Sequence, residues 1–100
     1  MTADAYQATF AVAPTHPALP GHFPGHPLVP GVVMLEQVAM ALRAWRDERL
    51  ARVAEAKFVA PLLPGESAEL TLSEAGSRVR FEIRRGGELL ARGAVEGARA

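Results

Sequence analysis

The stretch Gly21-His22-Phe23-Pro24-Gly25-His26-Pro27-Leu28-Val29-Pro30-Gly31-Val32-Val33-Met34-Leu35-Glu36-Gln37 joins two kinds of sequence that rarely adjoin. In its first half Pro24, Pro27 and Pro30 each restrict φ, which makes a rigid loop around His22 and lowers the entropy lost when that loop orders. In its second half the step Pro30-Gly31 marks the entry to a helix. From Val32 to Trp45 the apolar residues Met34, Leu35, Val38, Ala39, Ala41, Leu42 and Trp45 leave no solvated stripe, which predicts a helix buried on most sides. In a chain of 100 residues the material left to surround such a helix is a sheet that curls over it. The expected class is therefore α+β, with an antiparallel sheet wrapped around one long central helix. A histidine in the loop and a carboxylate within the helix point to acid/base chemistry.

Outward from this stretch the periodicity changes from helical to alternating. Upstream, Tyr6, Ala8, Phe10 and Val12 alternate with Gln7, Thr9 and Ala11, which suits a strand over residues 5–12. Between them, residues 13–30 hold six prolines, two glycines and all three histidines, and so are read as an ordered loop. Downstream, strands are expected over residues 51–60, 66–74, 78–84 and 88–96. The clearest places Val79, Phe81 and Ile83 inside and Arg78, Arg80, Glu82 and Arg84 outside. Pro64-Gly65, Gly76-Ser77 and Gly86-Gly87 supply the turns. The order β-α-β-β-β-β carries no repeat or linker, so residues 1–100 are expected to form a single domain.

Composition narrows the functional classes. A chain this short buries only a little over half of its unfolded surface, and many of its apolar residues are alanines, so a second subunit is an attractive way to complete the core. The absence of cysteine excludes a disulfide framework and a thiolate nucleophile or metal site. Zero formal net charge argues against a general nucleic-acid binder. The longest apolar run, Val32 to Leu42, is too short to span a bilayer, and no secretory pattern opens the sequence, so a cytoplasmic location is expected. No Lys or Arg precedes Arg43, whereas Arg43, Arg46, Arg49 and Arg52 follow at three-residue intervals. That series is either a solvated helix end complementing the helix dipole or a small patch for docking an acidic partner.

The run His22, Pro24, Gly25, Pro27, Pro30, Gly31 and Glu36, in that spacing, resembles the active-site signature of the 3-hydroxyacyl-acyl carrier protein dehydratases, whose hotdog fold wraps an antiparallel sheet around a central helix. Lys57-Phe58, Pro61 and Pro64-Gly65-Glu66 resemble the strand and turn that follow that helix. The short length and the lead-in from His16 to Gly21 look most like the small dehydratases of aryl polyene and related polyketide-type clusters. The resemblance implies dehydration of a 3-hydroxyacyl thioester carried by the phosphopantetheine of an acyl carrier protein, without metal or organic cofactor. His22 would take the proton at C2, and Glu36, desolvated by its apolar helix and so raised in pKa, would assist departure of water. It also implies a dimer in which His22 of one chain meets Glu36 of the other.

The free N–H groups of Gly31, Val32 and Val33 at the helix start would hold the thioester oxygen, and Met34, Val38 and Phe58 would lie beside the acyl chain. Arg43, Arg46 and Arg49 are the candidates for carrier-protein docking. Duller readings attend each residue: His22 as a loop histidine bonded to carbonyls, Glu36 as a dipole partner, and His16 and His26 as loop-surface residues. A zinc site from the three histidines is disfavoured, because a proline-rich loop does not set them on one face. One departure from the long-chain enzymes is Met40 where a polar residue commonly stands. Two alternatives remain. One is a hotdog thioesterase; the other is a non-catalytic partner subunit of a heterodimeric dehydratase.

Overall fold

In a computed structural model of the chain, which describes residues 5–16 and 28–99, one helix and five strands follow the expected order. They are β1 (Ala5–Ala11), α1 (Gly31–Arg46), β2 (Glu48–Phe58), β3 (Ser67–Ala75), β4 (Arg78–Arg85) and β5 (Glu88–Arg99). All neighbours pair antiparallel in the sheet order β1-β3-β4-β5-β2, so β1 and β2 are the two edges. Among the described residues no helix is long and apolar enough to cross a membrane.

The alternation read from the sequence becomes rows of side chains across the whole sheet. One row runs Tyr6, Leu72, Phe81, Gly93, Ala56 through all five strands. The next runs Ala8, Leu70, Ile83, Ala91, Phe58, which puts Phe58 at the edge of the helix-facing layer. Leu70, Leu72, Phe81, Ile83 and Val95 are fully buried against Val33, Met34, Val38 and Leu42 of the helix. Beyond the strands Val12, Val29 and Leu62 close one end of the core. Two backbone bonds tie them there: Val29 N–H donates to Leu62 O at 2.8 Å, and Gly65 N–H donates to Val12 O at 2.8 Å.

Gly93 is required by close approach. A Cβ there would stand 2.1 Å from Glu55 O and 2.7 Å from Phe81 Cε2, so a side chain would push both the partner strand and the central ring. Gly93→Ala is expected to destabilise at the upper end of the overpacking range of about 1–3 kcal/mol, read as a lower urea midpoint at unchanged slope.

Two expectations are corrected by the packing of α1. The helix is not buried on most sides: Val33, Met34, Val38, Ala41 and Leu42 meet the sheet, while Val32, Glu36, Met40 and Ala44 form an exposed ridge at four-residue spacing. A single sheet covers one side of a helix, and the described residues supply no second layer for the other. The chain also enters β2 earlier than residue 51. Asp47 takes a left-handed conformation (φ 56°) and donates its N–H to Arg43 O at 2.9 Å, reversing the backbone in one residue. Arg49 and Arg52 consequently lie on a strand, not on the end of the helix.

An ion-pair hub holds the turn between β2 and β3. Arg85 donates to Glu66 at 2.8 Å, to Pro61 O at 2.9 Å and to Glu88 at 2.6 Å, and Glu66 also accepts the Leu63 N–H at 2.9 Å. The Leu63 N–H first, and Arg85 after it, hold the Glu66 carboxyl below its ordinary range against the opposing effect of desolvation. A carboxyl whose folded pKa is depressed stabilises above its unfolded value, and that contribution is lost as pH falls through the folded value. Thermal midpoints are therefore expected to fall on acidification below about pH 4.3, the ordinary Glu value. Glu66→Gln should flatten that part of the curve in a differential scanning series across pH.

Candidate functional site

Pro30 is extended (φ −62°, ψ 150°) and hands the chain directly to Gly31, the first residue of α1, with no side-chain cap on the helix. The first donors of the helix are thereby left to other partners. Among the described residues the N–H groups of Gly31 and Val32 have no acceptor, whereas Val33 and Met34 both donate to Pro30 O, at 3.0 and 3.3 Å. Val33 is thus corrected as a carbonyl-holding donor: the first turn closes on its N–H, and its side chain is fully buried.

The sheet row that ends in Phe58 explains the glycine at the helix start. The ring reaches across to α1 so closely that a Cβ on Gly31 would stand 2.8 Å from Phe58 Cζ. Beside this contact lies a cavity of about 260 Å³ lined by Leu28, Val29, Gly31, Met34 and the run from Phe58 to Pro61. Gly31, expected at the thioester oxygen, lies here beside Met34 and Phe58, two of the residues expected along the acyl chain. Val38 is not among the lining residues; one turn further on, it is fully buried in the core.

Glu36 is not sunk among apolar side chains. It stands on the outer ridge of α1 with its side chain 56% exposed, between Val32 at 63% and Met40 at 64%. Across from it stands His16, with Nε2 3.6 Å from Glu36 Oε1 and a side chain only 28% exposed. Sequence reasoning assigned His16 to the loop surface. The available signal was its place at the head of the lead-in to Gly21, six residues before His22. His22 itself lies outside the described residues, as does His26.

The three docking candidates divide. Arg43, bonded through Nε to Asp47 Oδ1 at 2.9 Å, and Arg49 flank an open cavity of about 540 Å³ lined by Ala39, Met40, Ala44 and Leu50. Arg46 points elsewhere. Its guanidinium lies 4.1 Å from the centroid of the Trp45 ring and pairs with Glu74, and Trp45 stacks on Tyr6. That group locks the helix end to β1 and β3. Among the described residues no three His, Asp or Glu side chains cluster as a metal site would need.

Comparison with known proteins agrees with the fold. A solved dehydratase heterocomplex, ApeI:P from Xenorhabdus doucetiae, has the same fold, with a TM-score of 0.82 over 96% of this chain and 88% of that one at 22% identity. A mutant of the fluoroacetyl-CoA-specific thioesterase FlK shares the fold at a TM-score of 0.64 and 17% identity, over 94% of this chain and 90% of that one. The 3-hydroxyacyl-[acyl-carrier-protein] dehydratase FabZ of Haemophilus influenzae is 37% identical over 71 residues, 61% of this chain and 48% of its own length. FabZ of Campylobacter hominis is 34% identical over 82 residues, 70% of this chain and 57% of its own. The chain thus spans about half the length of the curated relatives it matches. The ApeI-like family, described as ApeI dehydratase, matches residues 1–94. With a hotdog sheet wrapped on one side of its helix and a family match over nearly its whole length, the chain belongs to the ApeI-like dehydratases.

Proposed function

We propose that this chain dehydrates 3-hydroxyacyl thioesters carried by an acyl carrier protein, giving trans-2-enoyl thioesters. The observation that carries the reading is the helix start. Two N–H groups without an acceptor among the described residues, at Gly31 and Val32, adjoin an apolar cavity walled by Phe58, and Glu36 follows little more than one turn along the same helix. Preorganised backbone donors of this kind stabilise the charge that develops on a thioester oxygen when the C2 proton leaves. His22 is assigned the base at C2. Glu36 gives its proton to the C3 hydroxyl as the C3–O bond breaks, and water departs with that electron pair. The electrons of the former C2–H bond become the C2=C3 double bond.

A second hotdog chain fits this reading, because Glu36 lies on a face that a single chain leaves bare. Val32 and Met40 on α1, and Val53, Phe58 and Val59 on and just beyond the edge strand β2, are all large apolar residues exposed to solvent. Covering that face would desolvate Glu36, as a general acid requires, and would bring its ridge to a partner's loop. Met40 on the ridge favours a heteromeric partner as the second reading.

The test combines native mass measurement with an assay on a short 3-hydroxyacyl thioester surrogate. An enoyl product from an assembly of this chain alone supports the homodimer. Activity that appears only on adding a related hotdog chain supports the heteromer, and free thiol without enoyl product would indicate a thioesterase instead.

A further inference from the structure

We propose that His16 is a positioning residue of this site, holding the Glu36 carboxylate of its own chain from the exit of β1. The inference rests on the dehydratase reading for its catalytic meaning and on geometry for the contact. His16 is placed by a tight turn, its N–H donating to Ala13 O at 2.9 Å, and Pro14 stiffens that turn. From there its imidazole reaches across to α1, with Nε2 3.6 Å from Glu36 Oε1.

Nothing on the helix itself can perform this task. The residues three and four positions from Glu36 are Val32, Val33, Ala39 and Met40, none of which bonds a carboxylate. A flexible glutamate on an otherwise apolar ridge would sample several rotamers, and only some of them point toward a substrate. An imidazole N–H at this distance restricts that choice with a small movement. It also meets the negative charge left on Glu36 once its proton has gone to the departing water. The base at C2 and this positioning histidine are then different residues. The His16–Glu36 couple is intrachain, so it persists whichever hotdog chain completes the assembly.

The test uses the full chain with whatever partner confers activity. His16→Ala is expected to lower kcat by between about ten- and a hundred-fold, the usual cost of a misplaced catalytic group, with KM for the surrogate thioester changed by less than about twofold. His16→Gln, which keeps an N–H donor of similar reach, should recover a large part of that loss. A kcat for His16→Ala within about twofold of the parent would overturn the proposal. So would equal losses in the alanine and glutamine variants, which would mark a merely structural role.

A second measurement does not depend on turnover. In spectra of the chain with labelled histidine, Glu36→Gln should move the His16 ring resonances, whereas Glu69→Gln on the opposite side of the sheet should not. Unmoved resonances in Glu36→Gln overturn the contact even in an active enzyme. Moved resonances in a protein that forms no enoyl product uphold the contact and reject the dehydratase reading instead.

Discussion

Glu36→Gln is expected to lower turnover of a 3-hydroxyacyl thioester by about 10²–10⁴-fold, the usual contribution of a positioned general acid or base. The amide is isosteric and cannot give up a proton to the leaving hydroxyl. Folding should be untouched, because the side chain stands outside the core on the exposed ridge of α1. Circular dichroism and the unfolding midpoint should therefore match the parent while the enoyl absorbance fails to grow. His22→Ala should produce a loss of the same order through removal of the base. A loss below about tenfold in both variants would reject the role assignment.

Phe81→Ala is expected to cost about 3–5 kcal/mol, a large share of the roughly 5–15 kcal/mol that holds a domain of this kind together. Phe81 is fully buried at the middle of the sheet row from Tyr6 to Ala56, with Gly93 beside it. Glycine contributes no side chain, so the ring fills the space of two positions and its removal leaves a cavity that the neighbouring rigid strands cannot close. Phe58→Ala serves as the contrast. That ring is 46% exposed at the sheet edge, so its removal should disturb the Gly31 contact and the cavity more than global stability. Denaturant titration of both variants separates a core ring from a site ring.

The fold was legible because it is written in local periodicity. Alternation over residues 78–84 selected Val79, Phe81 and Ile83 as the inner face, and these are the buried residues of β4. The paired prolines and glycines also marked the turns, with positive φ at Gly65, Gly76, Gly86 and Gly87. The start of β2 was misjudged for a local reason. Asp47 supplies a left-handed cap that glycine would have announced and aspartate does not.

Much less of the site was legible. Residue chemistry singled out Gly31, Met34 and Phe58, and the structure gathers them around one cavity. By contrast, the evenly spaced arginines suited either one solvated helix end or one docking patch, but the reversal at Asp47 leaves Arg46 paired with Glu74 and Arg49 on a strand.

What the sequence determined by itself is the order of the elements, the inward faces of β1 and β4 and the Pro30-Gly31 entry to the helix, since each depends on neighbours a few residues apart. Only the tertiary structure decided which side of an almost wholly apolar helix meets the sheet, and with it that Glu36 stands outward on a bare ridge. It also decided that His16, twenty positions upstream, faces that carboxylate. Such a contact is set by where two elements pack, and no periodicity within either element encodes it.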